Sequence, residues 1–233
     1  LPVFGWEPDL PIVLALIPRH NLQGEVRWIN TDLPAQYVMH TMTANVVGDQ
    51  LILDAPIFQE PPFPMENNFS EGDQAALFFS NAASYLGRWT VNLTTGAVKA
   101  EQLSDLPSEI SKVDQRFYGK GNRYGFQIGG QPKRRGMRMD SLIRNDVEKC
   151  TEEVYQIRDD KQLAAVLEGS FAPRTIDSPE GDGYIIVPVA WWGERKGEFQ
   201  IFDTDDITAG PICRIELPFG MGWTPHGHWM DFR

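Results

Sequence analysis

The sequence predicts an all-β protein, and three observations carry that expectation. Strand-like segments recur along the chain, with turn signals roughly every 8–12 residues. Helical periodicity is scarce, and strands do not alternate with helices as parallel βαβ units would require. The segments can be justified in order. "QLILDAPIF" (50–58) sets Leu51, Leu53 and Ala55 against Ile52 and Asp54, the period of two of a strand. "GRWTVNLTTGAVKAEQL" (87–103) is two strands about a Thr94-Thr95-Gly96 turn. "MDSLIRNDVEKCTEEVYQI" (139–157) repeats the pattern, turning near Asn145-Asp146. "GYIIVPVAWWGERKGEFQIFD" (183–203) turns at Gly193–Gly197, and "PICRIELPF" (211–219) supplies one more strand. Two short helices are expected, over Gly72–Tyr85 and near Asp160–Glu168. Such a pattern suits a sandwich, barrel or propeller, and the absence of a fixed-period repeat leaves the choice open.

Composition narrows the function classes. The 233 residues carry 21 Lys plus Arg against 32 Asp plus Glu, a net charge of -11. No basic stripe is present to neutralise phosphates, which argues against a nucleic-acid partner. The one basic run, "PKRRGMR" (132–138), is expected to be a solvated loop. No apolar run approaches the length of a membrane span. Two cysteines, Cys150 and Cys213, are too few for a disulfide framework or a thiolate metal site. They are expected to be free thiols in a reducing, cytoplasmic compartment. The chain opens on "LPVFGWEPDLP", without an initiator methionine, helix cap or targeting segment, and is expected to be a piece of a longer protein. No low-complexity linker divides it, so residues 1–233 are expected to form one domain.

Two of the four histidines lie in "TPHGHWM" (224–230). On a strand, the i, i+2 spacing of His226 and His228 would point both rings to one face, as paired metal ligands require. A polar surface role fits the same residues. His40 ends an apolar run ahead of "TANVVGDQ", a place where a lone histidine is ordinarily structural. His20, in the turn "IPRHNLQGE", is expected to be exposed and to bind no metal. The chain has no Gly-x-Ser-x-Gly elbow, phosphate loop or dinucleotide fingerprint. The paired carboxylates Asp205-Asp206 sit in a turn.

Four blocks, in order, resemble the carotenoid cleavage oxygenase family, in particular its lignostilbene dioxygenase-like branch. "LIPRHNLQGEVRWINTDLPAQYVMHTMTANVVGDQLILDAP" resembles the family's Pro-Arg turn, Arg-Trp strand and ligand histidine. "SYLGRWTVNLTTGAVKAEQLSDLPSEISKVDQRFYGKGNRYGFQIG" resembles the segment with a glutamate before Asp-x-Arg and Gly-x-x-x-Arg-Tyr. "LEGSFAPRTIDSPEGDGYIIVPV" is similar to its Glu-x-x-Phe-x-Pro-Arg block and acidic, Gly-rich turn. "RIELPFGMGWTPHGHWM" is similar to the closing Leu-Pro strand and His-Gly-x-Trp ending.

The resemblance covers essentially the whole chain and implies the C-terminal part of a seven-bladed β-propeller, its N-terminal half missing. In such a fold one Fe(II) sits on four histidines. His40 and His226 match the third and fourth ligands, and Glu109 and Glu168 match carboxylates that hydrogen-bond to iron-bound imidazoles. His228 matches a variable position, and Pro225 stands where relatives carry Phe or Leu. The implied activity is dioxygenase cleavage of a carbon–carbon double bond to two carbonyl products. The implied partners are dioxygen and an apolar or aromatic alkene. Stilbenoid or phenylpropanoid alkenes are expected as substrates, with carotenoids or apocarotenoids as the alternative. Phe63, Phe69 and Trp223 are candidates for lining a substrate tunnel, or for core packing. A different class of function is a partial, inactive propeller serving as a binding or structural module. The isolated chain is expected to be inactive and to expose unpaired strand edges.

Overall fold

The structure is a computed structural model that describes residues 6–21, 23–62, 82–130, 139–158, 164–222, 224 and 226–230. Among these, the chain forms antiparallel strands throughout. Strand β1 (Val13–Leu16) pairs with β2 (Arg27–Asn30) as a separate two-stranded ribbon. A continuous meander follows: β3 (Thr43–Val47), β4 (Gln50–Phe58), β5 (Ser84–Asn92), β6 (Val98–Val113), β7 (Tyr124–Gly129), β8 (Ser141–Asp146) and β9 (Thr151–Gln156). Strand β6 belongs to two sheets. Its first part, from Val98 to Pro107, pairs with β5, and its second, from Ser108 to Val113, pairs with β7. The last sheet holds β10 (Ala164–Val166) and β11 (Ser170–Pro173), both paired with β12 (Gly183–Trp191), then β13 (Lys196–Asp203) and β14 (Cys213–Glu216).

With β6 counted twice and β10 and β11 taken as one interrupted strand, this gives three successive four-stranded meanders. That unit is the blade of a β-propeller. The all-β propeller expectation is thus borne out. The strand over 50–58 falls where the alternation places it, and the hairpin joining β5 to β6 turns at Thr94–Gly96. There the Asn92 side chain accepts from the amides of Thr94 (2.9 Å) and Thr95 (2.7 Å). Gly96 then takes a φ of 80°, open to glycine at little cost.

The sheets pack face to face. Phe126, Ile128 and Leu142 of the second sheet bury against Val166, Phe171, Ile185, Val187, Val189 and Phe202 of the third. Met42, Leu86, Val113 and Val147 fill the seam between the first and second sheets. Ala55, Ile57 and Trp89 pack with Ile12 and Leu14, joining the ribbon to the first sheet. Gly129 marks the crossover of β6. A Cβ there would collide with the Pro107 carbonyl and the Ser108 backbone, so the two strands cross only because that position is glycine. Strand β14 is exposed along its length, with Ile215 presented on its surface.

The expected helix near 160–168 is a correction. Residues 159–163 lie outside the described set, and Ala164–Val166 is strand β10. Ala164 and Val166 are buried with Ala165 between them, a period of two that pairing with β12 rewards. Of the other expected helix, residues 72–81 lie outside the described set, and Ser84 and Tyr85 open β5. The basic run at 132–138 also lies outside it. No helix among the described residues is long and apolar enough to cross a membrane.

Two predictions test this packing. Phe202 is fully buried and meets Tyr155 edge-on at 5.2 Å. Phe202→Ala is expected to lower unfolding stability by about 3–5 kcal/mol, read from the urea midpoint. Arg174 grips Asp203 with two bonds (2.6 and 3.0 Å) and Asp182 with one (2.7 Å). The guanidinium holds the Asp203 carboxyl below the usual carboxylate range. A depressed folded pKa contributes stability above the unfolded value, and that contribution is lost as pH falls through the folded one. Arg174→Met is therefore expected to be less stable than the parent at neutral pH. The gap should narrow below about pH 4, as denaturation curves at a series of pH values would show.

Candidate metal centre

The site assembles where the first strands of the three sheets converge. His40 lies in the loop just ahead of β3. The loop is held by the Met42 amide, which donates to the Asp54 carbonyl at 2.8 Å, and Met42 itself is buried in the seam. The His40 Nδ1 meets Glu109 Oε2 at 2.8 Å. Glu109 is buried at the start of the second part of β6, and the Ile110 amide donates to the same Oε2. The other oxygen of Glu109, Oε1, is buried with no hydrogen-bond partner among the described residues.

Immediately after Glu109 the strand is irregular. Glu109 pairs with Ile128 and Lys112 with Phe126, so three steps along β6 match two along β7. One surplus residue makes a β-bulge. Ile110 takes a φ of 56° there, a conformation a β-branched side chain rarely adopts. In a regular strand, residues three apart point to opposite faces. The surplus residue cancels that, and Glu109 and Lys112 both serve the same site. The Lys112 ammonium pairs with Glu168 Oε1.

Glu168 lies in the interruption between β10 and β11, where both flanking strands stay paired to β12. It is buried, and its Oε2 accepts from His226 Nδ1 (2.8 Å) and the Gly227 amide (3.0 Å). His226 follows β14 in an irregular stretch that returns to the first strands. The His40 and His226 rings stand 5.5 Å apart, centroid to centroid, at 75°.

Both Nδ1 atoms face carboxylate oxygens, which only accept. Each neutral ring therefore carries its proton on Nδ1 and leaves the Nε2 lone pair free. The Glu109 hydrogen bond raises the His40 pKa above its ordinary value, against burial, and the Glu168 charge adds to the effect. Burial and that same charge push the Tyr118 phenol up.

The four residues singled out in the sequence thus come together: His40 with Glu109, and His226 with Glu168. His228 does not join them. Its Nδ1 accepts from the Gln115 side chain at 3.2 Å. His20 is exposed in its turn. Phe63, Phe69, Trp223 and Pro225 lie outside the described residues. Among the described residues, no group of three or more His, Cys, Asp or Glu is arranged to hold a metal. Lys112, Tyr118 and the bulge at Ile110 escaped the sequence reading. The one available signal was a charged pair, Glu109 and Lys112, three apart in a strand.

A family model described as retinal pigment epithelial membrane protein (RPE65) matches residues 1–231. An isoeugenol monooxygenase of Pseudomonas nitroreducens is 28% identical over 242 residues, covering 98% of this chain and 48% of that protein. Lignostilbene-alpha,beta-dioxygenase isozyme III of Sphingomonas paucimobilis is 28% identical over 245 residues, covering 99% and 49%. The crystal structure of Pseudomonas brassicacearum lignostilbene dioxygenase superposes with a TM-score of 0.83 at 27% identity, over 99% of this chain and 49% of that one. The chain spans about half the length of the curated relatives it matches.

The bulge yields a prediction. Ile110→Gly removes the steric cost of positive φ and is expected to keep stability within about 1 kcal/mol. Ile110→Pro fixes φ near about −65° and deletes the amide that Glu109 receives. Nitrogen shifts of the His40 imidazole are expected to match the parent in the glycine variant and to depart from it in the proline variant.

Proposed function

The chain belongs to the carotenoid cleavage oxygenase family, the family of retinal pigment epithelial membrane protein, and we propose that it forms part of a non-haem Fe(II) dioxygenase. The substrate proposed is a stilbenoid or phenylpropanoid alkene, whose carbon–carbon double bond is cleaved to two carbonyl products. The observation that carries this reading is the pair of neighbouring imidazoles, each with Nδ1 on a buried glutamate and Nε2 without a hydrogen-bond partner among the described residues. The names of the relatives, an isoeugenol monooxygenase and lignostilbene dioxygenases, support the alkene class.

The donor set fits ferrous iron. Neutral imidazoles suit that metal, and a carboxylate on the far nitrogen fixes the ring and raises its basicity. His40 and His226 would hold the metal through Nε2, and two further ligands are proposed to come from sequence outside residues 1–233, which would also complete the domain. When bound, the iron would supply the binding and activation of dioxygen. The protein's own work is preparatory. Glu109 and Glu168 hold the protons on Nδ1 and keep both rings aimed, and their charge offsets that of a bound cation. The Gly227 amide pins Glu168 from the side of the chain that carries His226. Two exposed free thiols, Cys150 and Cys213, support a reducing, cytoplasmic setting.

The test is metal content and alkene cleavage by the full-length protein carrying His40→Ala or His226→Ala. Each variant is expected to lose stoichiometric iron and cleavage together. Glu109→Gln is expected to weaken metal binding by about 10–100-fold. Undiminished iron and activity in both histidine variants would overturn the assignment.

A further inference from the structure

We propose that Lys112 is a positioning residue of the metal centre, holding Glu168 in the one orientation that aims the His226 imidazole. The inference rests on the metal-centre reading above and concerns a residue that touches neither imidazole.

The geometry divides Glu168 between two tasks. Oε1 pairs with the Lys112 ammonium, while Oε2 accepts from His226 Nδ1 and the Gly227 amide. A glutamate's terminal torsion is broad and roughly two-fold, so one occupied oxygen does not fix the carboxylate plane. A partner on each oxygen does. His226 depends on that plane more than His40 does. It lies in an irregular stretch, whereas His40 sits just ahead of a paired strand.

Charge points the same way. Glu109 and Glu168 are both buried, and the His40 ring senses both. Two buried carboxylates with no cation would carry a heavy desolvation cost. Lys112, its side chain only 14% exposed, supplies a positive charge. It reaches the site because the bulge turns it to the same side as Glu109. One segment of β6 therefore steers both histidines: directly through Glu109 to His40, and at one remove through Lys112 and Glu168 to His226.

The experiment uses the full-length protein with Lys112→Met, Lys112→Gln and Lys112→Arg, and His226→Ala as a reference. Imidazole nitrogen shifts are read first without metal, at a pH where both rings are neutral, and then Fe(II) affinity is measured. Lys112→Met is expected to erode the Nδ1–H tautomer at His226, leave that of His40 unchanged, and weaken iron binding by about tenfold or more. Lys112→Arg is expected to restore both readouts. If the Met variant does not fold, the Gln variant decides: it should lose the His226 signature that the Arg variant keeps. Parental His226 shifts in the Met variant, or equal shifts in the Gln and Arg variants, would overturn the role of Lys112. Iron binding unaffected by His226→Ala would instead overturn the metal-centre reading, while the tautomer result at His226 still decides for or against Lys112.

Discussion

The candidate centre depends on one β-bulge in β6. Were residues 109–112 a regular strand, Glu109 and Lys112 would face opposite sides of the sheet, and only one of the two histidines could be served from that strand. With the bulge, a single short stretch carries an acceptor for His40 and a cation for the carboxylate that holds His226. The left-handed backbone at Ile110 is the local cost of this arrangement. The Ile110 amide donating to Glu109 offsets part of that cost, so the kink and the carboxylate it re-aims stabilise one another.

The surrounding sheets explain why so small an irregularity is held firmly. The second part of β6 pairs with β7, whose Phe126 and Ile128 are buried against the third sheet. The interruption at Glu168 is framed in a similar way, with β10 and β11 both anchored to β12. The two glutamates of the candidate site stand at irregular points in otherwise regular ladders. This is the usual division between a packed scaffold and the places that interrupt it.

The strands were legible because one face of each is buried and the other is not. Alternation in 50–58 and the Thr94–Gly96 turn follow from side-chain chemistry alone. The helix expected near 160–168 gives way to strand because three residues are too few to show a period, and the identity of Ala164–Val166 is set by pairing with Val189–Trp191 of β12, far along the chain. His40, Glu109, Glu168 and His226 were reached through ordered blocks of residues, not through spacing. Their separations along the chain, 69 for one pair and 58 for the other, carry no local signal. Lys112 was missed for a related reason. A lysine in a strand ordinarily reads as solvent-facing, and only the register shift turns it inward.

The bulge also has a consequence for how this protein can vary. What aims Lys112 is its pairing with β7 on the far side of the bulge, and much less the identity of residues 110 and 111. Most single-nucleotide changes within those two codons leave that pairing intact. Loss of one of the codons would leave two steps against two, so Glu109 and Lys112 would still share a face while the left-handed turn at Ile110 disappeared. The facing of the two side chains is thus tolerant of a deletion there, and the amide turned toward Glu109 is what such a deletion would put at risk.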